Sequence, residues 1–139
     1  MKKFRTVATL VKSLAFSGFL LASGASIAST QDYNSGFLAA ESGNYDVAMK
    51  KWGPLAEQGN ALAQFNLAML FHSGSGVPQS EAEAIKWYTA AATNGYYKAQ
   101  EYLAVAYAEG WFGLKVNSEK AQYWQKRIDA AALRVKYWK

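Results

Sequence analysis

The sequence predicts an all-α solenoid of about three stacked helical hairpins, preceded by an N-terminal signal peptide. Three observations support this fold class: residues 60–132 repeat with a period of 36 to 37, apolar residues recur at helical spacing, and no segment alternates with the period of a strand. The chain of 139 residues is 51% hydrophobic and 18% charged, which suits one small globular domain rather than a disordered chain.

The repeat is clearest where residues 63–74 align with residues 99–110 at a separation of 36. Six of these twelve positions match in residue type. Farther along, Trp87 pairs with Trp124 at a separation of 37, so the second unit has one extra residue in its loop. An earlier, partial unit is also present, because three residues recur 36 positions before their counterparts: Ala48, Ala56 and Gly59 before Ala84, Ala92 and Gly95.

Helix boundaries follow from capping signals. Ser80 and Glu83 form a predicted capping box for a helix that begins at Glu81. Four glycines are expected to end helices in a left-handed conformation: Gly59, Gly74, Gly95 and Gly110. The pattern predicts six helices, which pair into three hairpins: Asp32–Ser42, Tyr45–Gln58, Ala61–Ser73, Glu81–Asn94, Tyr97–Glu109 and Ser118–Tyr137.

Residues 1–28 have the features of a bacterial signal peptide. Basic residues in the first twelve positions precede an apolar run over 13–22, which is too short to span a bilayer comfortably. Small residues at Ser26 and Ala28 predict cleavage after Ala28, with Ala25 as the second choice. We therefore expect a periplasmic protein, or secondly a secreted one. The alternative is an uncleaved membrane anchor.

Charge and composition exclude several classes of function. The net charge of +5 falls to about +1 without the first 28 residues, since eleven Lys and Arg then face ten Asp and Glu. We therefore expect no nucleic-acid partner, which would need a basic folded surface. The absence of cysteine excludes disulfides, thiolate zinc sites and cysteine nucleophiles. The sequence predicts no cofactor, no metal site and no catalytic residue.

The repeat itself carries a family resemblance. Its first full unit reads Ala63-Gln64-x-x-Leu67-Ala68-x-x-Phe71-x-x-Gly74-x-Gly76-Val77-Pro78-Gln79-Ser80-x-x-x-Ala84-x-x-Trp87-Tyr88-x-x-Ala91-Ala92-x-x-Gly95. This pattern resembles a Sel1-like repeat, a relative of the tetratricopeptide repeat. The resemblance divides the domain into an opening hairpin over 32–59, repeats over 60–95 and 96–132, and a helical extension to 139. The second repeat departs from the pattern at 110–114, where it is one residue longer and lacks the proline.

The resemblance implies a scaffold that holds proteins together. The leading hypothesis is therefore an exported periplasmic adaptor that binds another protein and does not catalyse a reaction. The alternative is an envelope protein that binds or hydrolyses cell-wall glycan or peptide. Convergence of an acid with His72, the only histidine, in a concave pocket would favour this alternative. A third hypothesis, binding of the basic last helix to a membrane surface, is weaker because the mature charge is nearly balanced.

The candidate partner-binding residues follow from tetratricopeptide-like stacking, in which the first helix of each hairpin lines the inner curve. Leu67, Phe71, Leu103 and Tyr107 are then expected to face the core. Nine residues are predicted to contact a partner: Tyr33, Phe37, Phe65, Met69, His72, Glu101, Val105, Trp111 and Phe112. The alternative is that the inner-face residues only cover neighbouring helices. Trp111 and Phe112, at a loop tip, either tuck back or meet a partner.

Two further expectations concern His72 and the last helix. His72 is predicted to have a plain polar surface role, because no acidic residue lies at helical ligand spacing around it. The last helix has an apolar stripe with no following hairpin to cover it: Trp124, Ile128, Ala131, Val135 and Trp138. Either this helix folds back as a cap, or a second copy of the chain covers it in a homo-oligomer.

Overall fold

The computed structural model describes residues 27–137. Within this range the chain forms helices and no strand. The helices are α1 (27–41), α2 (Tyr45–Glu57), α3 (Ala61–Ser73), α4 (Glu81–Thr93), α5 (Tyr97–Glu109) and α6 (Ser118–Tyr137), with a 3-10 turn at Trp111–Gly113. The predicted signal peptide, except for Ile27 and Ala28, lies outside the described residues, as does Trp138.

The predicted helix boundaries of α3, α5 and α6 are confirmed. Helices α2 and α4 end one residue earlier than predicted, because Gln58 and Asn94 serve as their C-caps. Helix α1 is already helical at residue 27 instead of beginning at Asp32. No glycine or proline lies between residues 27 and 35, so nothing in this stretch interrupts the helix.

Side-chain caps hold two of the helix starts. The Asn60 side chain accepts a hydrogen bond from Ala63 N at 3.0 Å, and Ser80 Oγ accepts one from Glu83 N at 3.3 Å. The reciprocal half of the predicted capping box is wrong. Ser80 N donates to the Phe71 carbonyl at 2.9 Å, and the Glu83 carboxylate instead contacts Lys86 Nζ at 3.1 Å.

The glycines end the helices as predicted, with φ of +90° at Gly59, +68° at Gly74, +90° at Gly95 and +76° at Gly110. Gly74 and Gly110 occupy the same position in the two repeats and follow α3 and α5. Each donates its N–H to a carbonyl of the preceding helical turn, Leu70 or Ala106 respectively. These left-handed turns direct the chain into the two long loops that reach the candidate site.

The hairpins share one elongated core, which has two clusters. One cluster joins α2 to α3 around Trp52 and Leu67, and the other joins α3 to α6 around Tyr88 and Leu103. The side chain of Trp87 packs against both clusters and so connects them. Alanines that the repeat places at helix contacts are completely buried, which lets the helices approach closely: Ala48, Ala63, Ala84 and Ala99.

Two buried glutamines fix each repeat to the hairpin before it. Gln64 Nε2 donates to the Ala56 carbonyl at 2.8 Å, and Gln100 Nε2 donates to the Ala92 carbonyl at 3.0 Å. Both side chains are 5% exposed, so each bond satisfies a buried donor. Asn94 Nδ2 donates in turn to Gln64 Oε1 at 2.9 Å. The same side chain therefore makes the same inter-hairpin bond in both units.

Helix α6 covers the end of the core with only part of its apolar stripe. Trp124 and Ile128 are buried against α5, as the folding-back alternative predicts. Ala131 and Val135 remain exposed. Self-association through this exposed half of α6 stays a prediction. In the described part of the chain, none of the helices combines the length and apolar character needed to span a bilayer.

Candidate binding site

An acid and an imidazole meet where two helix ends face each other. His72 is the next-to-last residue of α3, and Glu81 is the first residue of α4. The loop between them turns back at Gly74, and Ser80 N closes it by bonding to the Phe71 carbonyl. This turn brings His72 Nδ1 to 3.1 Å from Glu81 Oε2. Gln79 Nε2 donates to the His72 carbonyl at 2.9 Å and supports the arrangement.

The loop of the second repeat supplies an aromatic wall to the same place. Phe112 packs edge-on against the His72 ring, with 4.8 Å between ring centroids and 87° between planes. Phe112 has φ of +57°, which makes it the one non-glycine residue with positive φ in the described range 27–137. A left-handed conformation is costly for a bulky residue. Packing of its ring against His72 and Tyr88 holds it there.

Aromatic rings continue beneath and beside Phe112. Tyr88 and Tyr102 stack with 5.2 Å between centroids, and Phe65 meets both edge-on at 5.3 and 6.0 Å. Trp111 lies edge-on to Tyr102 at 6.5 Å. Such offset and edge contacts are the favourable geometries for aromatic pairs. They fix the position of Tyr102, which is 38% exposed, and of Trp111, which is 43% exposed.

Five residues line an open cavity of about 340 Å³: His72, Glu81, Tyr102, Trp111 and Phe112. We call this cavity the aromatic pocket. The side chains of His72 and Glu81 are 44% and 35% exposed, so both can be reached from solvent. The pocket thus combines aromatic surfaces from the second repeat with a hydrogen-bonded polar pair from the first.

The hydroxyl of Tyr88 lies below this pocket without a hydrogen bond. The residue is 1% exposed, and its Oη has no hydrogen-bond partner among residues 27–137. Burial raises the pKa of the Tyr88 phenol well above its usual value, with smaller contributions from Tyr102 and Glu81. The Tyr88 ring contacts two residues that line the pocket, Tyr102 at 5.2 Å and Phe112 at 5.9 Å between ring centroids.

We expect Tyr88→Phe to stabilise the domain by about 1 kcal/mol near neutral pH, because it removes a buried hydroxyl that has no partner. The raised pKa adds a second expectation. The unfolded state ionises above about pH 10 while folded Tyr88 stays neutral, so the wild type loses stability as pH rises through this range. Urea unfolding at several pH values measures both effects. A lower stability of Tyr88→Phe at neutral pH would contradict the assignment.

Comparison with known proteins supports the repeat assignment. The Sel1 repeat family model matches residues 61–96 and 98–127. The chain contains two Sel1 repeats. It is similar to a solved Sel1 repeat protein from Oxalobacter formigenes, with 31% sequence identity and a TM-score of 0.57. The match covers 63% of this chain and 66% of the other, just under two thirds of its length. No curated protein shows significant similarity to the chain.

Sel1 repeats generally act as protein–protein interaction modules. The two matched repeats contribute α3 to α6 and therefore contain the whole aromatic pocket. The first unit supplies His72 and Glu81, whereas the second supplies Tyr102, Trp111 and Phe112. The pocket consequently depends on stacking of adjacent Sel1 units. Among residues 27–137, no three metal-ligating side chains of the His, Cys, Asp or Glu type converge.

The nine residues predicted to contact a partner fall into three groups. His72, Trp111 and Phe112 line the aromatic pocket. Phe65 is 9% exposed and belongs to the core between α3 and α5, so its predicted place on an accessible flank is wrong. Tyr96 and Tyr102 cover its ring, at centroid distances of 4.9 and 6.0 Å. The other five lie on α1, α3 and α5: Tyr33, Phe37, Met69, Glu101 and Val105.

Those three helices, the first of each hairpin, share one side of the Sel1 stack. The Asn66 side chain donates to Tyr33 Oη at 3.2 Å, which joins α3 to α1. The Phe65–Tyr102 contact joins α3 to α5. Helical spacing puts five exposed apolar residues on this side, which we call the first-helix face: Phe37, Leu62, Met69, Tyr102 and Val105. Glu101 is also exposed and accepts a hydrogen bond from Tyr97 Oη at 2.6 Å.

The core positions predicted for the Sel1 repeats are confirmed. Leu67 and Leu103 are 2% and 0% exposed, and Phe71 and Tyr107 pack against the core with part of each ring accessible. The two loop-tip aromatic residues were predicted either to tuck back or to meet a partner. Phe112 tucks back against Tyr88, whereas Trp111 stays half exposed.

Glu81 and Tyr102 are site residues that the sequence reasoning missed. Glu81 was predictable as the first residue of α4, but its approach to His72 depends on how the loop over 74–80 folds. His72 has the exposed position predicted for it, with a side chain that is 44% exposed, and its ring also pairs with a carboxylate in the pocket. No sequence signal marked Tyr102 as a site residue. Its counterpart in the first repeat is Asn66, so the aromatic side chain does not recur between the repeats.

Proposed function

We propose that this Sel1-like protein is an adaptor that binds a segment of another protein on its first-helix face and in its aromatic pocket, without catalysis. The observation that supports this proposal is that each of the three successive first helices exposes large apolar side chains. Phe37 is 46% exposed, Leu62 41%, Met69 47%, Tyr102 38% and Val105 37%.

The energetics of such a surface favour a protein partner. Isolated exposed apolar residues are ordinary, but a contiguous patch costs solvation free energy that a partner recovers. Burial yields about 25 cal/mol for each Å² of apolar surface removed from water. Aromatic and methionine side chains also adapt to a peptide or helix laid into a groove. Tyr102 belongs to both the face and the pocket, so one bound segment can reach both.

The proposed location is the periplasm. This part of the proposal is supported by the N-terminal sequence alone, with its basic start, short apolar run and small residues before Ser29. Cell fractionation followed by mass spectrometry of the purified protein tests it. We expect a mature chain that begins at Ser29 in the periplasmic fraction. A full-length chain in the membrane fraction would support the anchor instead.

Photo-cross-linking in the native cell tests the adaptor proposal. A photoreactive residue in place of Met69 or Val105 is expected to give one discrete protein adduct, because both positions are exposed on the first-helix face. Val47 on α2 is the matched control, since it is also an exposed valine, at 37%, and lies outside this face. Met69→Asp is expected to abolish the adduct from position 105 while the protein stays folded.

Two outcomes would contradict the adaptor proposal. Equal adducts from positions 47, 69 and 105 would show only random proximity in the cell. Attachment of glycan fragments without protein would favour cell-wall binding. Circular dichroism of Met69→Asp checks that the loss of an adduct does not come from unfolding.

A second candidate function, action on cell-wall glycan, is favoured by the meeting of His72 and Glu81 in a concave pocket. Aromatic rings such as Trp111 also suit stacking on sugars. Glycoside hydrolysis, however, generally uses two carboxyl groups across the scissile bond. Glu81 is the only carboxylate among the residues that line the aromatic pocket. Release of soluble sugars from purified peptidoglycan by the wild type, but not by Glu81→Gln, would establish this second function.

A further inference from the structure

The polar groups of the aromatic pocket favour a ligand that donates hydrogen bonds. His72 Nδ1 faces the Glu81 carboxylate, which accepts but cannot donate, so we assign a proton to Nδ1, and in that tautomer Nε2 is an acceptor. Glu81 adds further acceptor positions on its two oxygens. A ligand that brings only acceptors would leave these groups unmatched, whereas a group rich in N–H donors would satisfy them.

The charge of the pocket selects a cation. Glu81 is the one acidic residue among the five that line the pocket. Within residues 27–137, no lysine or arginine lies within ion-pair distance of Glu81. The nearby Glu83 is already matched by Lys86. The ion-pair partner of Glu81 within the described range is the His72 imidazole at 3.1 Å, so the carboxylate is not paired with a permanently charged cation.

The aromatic walls and the volume of the pocket favour one class of cation over others. Tyr102 and Trp111 expose aromatic surface, and Phe112 stacks parallel to Tyr102 at 6.5 Å with 19° between planes. A planar guanidinium stacks on aromatic rings and offers five N–H donors in a fixed fork, whereas an ammonium is a compact, strongly hydrated charge. A volume of about 340 Å³ is at the small end for a ligand site and suits a single long side chain.

The geometry points to the aromatic pocket as a binding site for one arginine side chain of the partner protein. The guanidinium stacks against the aromatic wall and donates to the Glu81 carboxylate, while its methylene stem crosses the apolar rim beside Tyr102. This inference rests on the proposed adaptor function, because the arginine belongs to the segment that the first-helix face receives. It adds the chemical identity of the anchor that the partner must carry.

The test uses a small probe and the purified protein. Acetyl-arginine methylamide is titrated while NMR follows the Trp111 indole N–H, which is assigned by its loss in Trp111→Phe. We expect saturable shifts with millimolar affinity. The citrulline analogue has the same shape without the charge, and we expect it to bind at least about tenfold more weakly. The lysine analogue should also bind several-fold more weakly.

A pair of variants ties the effect to the pocket. Glu81→Gln is expected to weaken the arginine probe by about tenfold, because a charge-assisted hydrogen bond becomes a neutral one. Glu83→Gln, two residues along the same helix, is the matched control and should leave binding unchanged. Equal binding of the citrulline or lysine probe would overturn the inference, as would an unaffected Glu81→Gln.

Failure of this inference can be distinguished from failure of the adaptor proposal. Discrete protein adducts from positions 69 and 105 without binding of the arginine probe would refute the arginine anchor only. Saturable binding of a methyl glycoside at the Trp111 indole, with no effect of arginine, would also refute it and favour the glycan function. Binding of the arginine probe without any protein adduct would leave the pocket assignment supported and the adaptor function refuted.

Discussion

Leu103→Ala is expected to destabilise the domain by about 2–5 kcal/mol, the largest effect of any substitution considered for this protein. Leu103 is 0% exposed and lies on α5 in the cluster that joins α3 to α6. Truncation removes buried methyl groups and leaves a cavity between two helices whose close approach is fixed by alanines. A domain of this size has only about 5–15 kcal/mol of stability, so the loss is a large share of the total.

Chemical denaturation followed by far-UV circular dichroism measures this loss. The matched control is Val105→Ala on the same helix, where the side chain is 37% exposed and truncation creates no enclosed cavity. We expect the control to change stability by no more than about 0.5 kcal/mol. Similar losses from both variants would contradict the assignment of α5 between the core and the first-helix face.

Gly36→Ala is expected to destabilise the opening hairpin, with a net loss of about 2 kcal/mol. A Cβ at this position in α1 would lie 2.5 Å from Nε1 of Trp52. Trp52 is 3% exposed, and its Nε1 donates to the Tyr33 carbonyl at 3.1 Å, so the ring cannot move away freely. The steric cost exceeds the gain of about 1 kcal/mol that alanine normally brings to a helix interior.

The control for Gly36→Ala is Asn34→Ala, an exposed position on the same helix. We expect this variant to be neutral or slightly stabilising, because alanine has the higher helix propensity. Thermal unfolding of both variants and of the wild type measures the difference in their stability. If Gly36→Ala were as stable as Asn34→Ala, α1 would not pack against Trp52 in the way described.

Local signals in the sequence account for most of the fold. Glycines that favour positive φ, such as Gly74 and Gly110, ended the helices where predicted. The 36-residue repeat located the buried Leu67 and Leu103 because equivalent positions meet equivalent neighbours. The start of α1 was placed too late, since no local signal separates its first turns from the residues before them.

The site was less predictable because it depends on contacts between loops. Phe65 was predicted to be exposed because it lies two residues before the core residue Leu67, but Tyr96 and Tyr102 enclose its ring. The His72–Glu81 pair requires the path of the loop over 74–80. The left-handed Phe112 requires a ring packing that no single-residue preference favours. Local propensity cannot supply such tertiary arrangements.

The two glutamine bonds depend on where the second helix of each hairpin ends. Ala56 and Ala92 can accept a side-chain bond from the next unit because α2 and α4 end within one residue of them. The equivalent residue in α6, 37 positions after Ala92, is Asp129, and α6 continues to Tyr137. The carbonyl of Asp129 therefore accepts a backbone hydrogen bond within its own helix. Helix α6 therefore lacks the early helix end at which α2 and α4 accept the glutamine of the following hairpin.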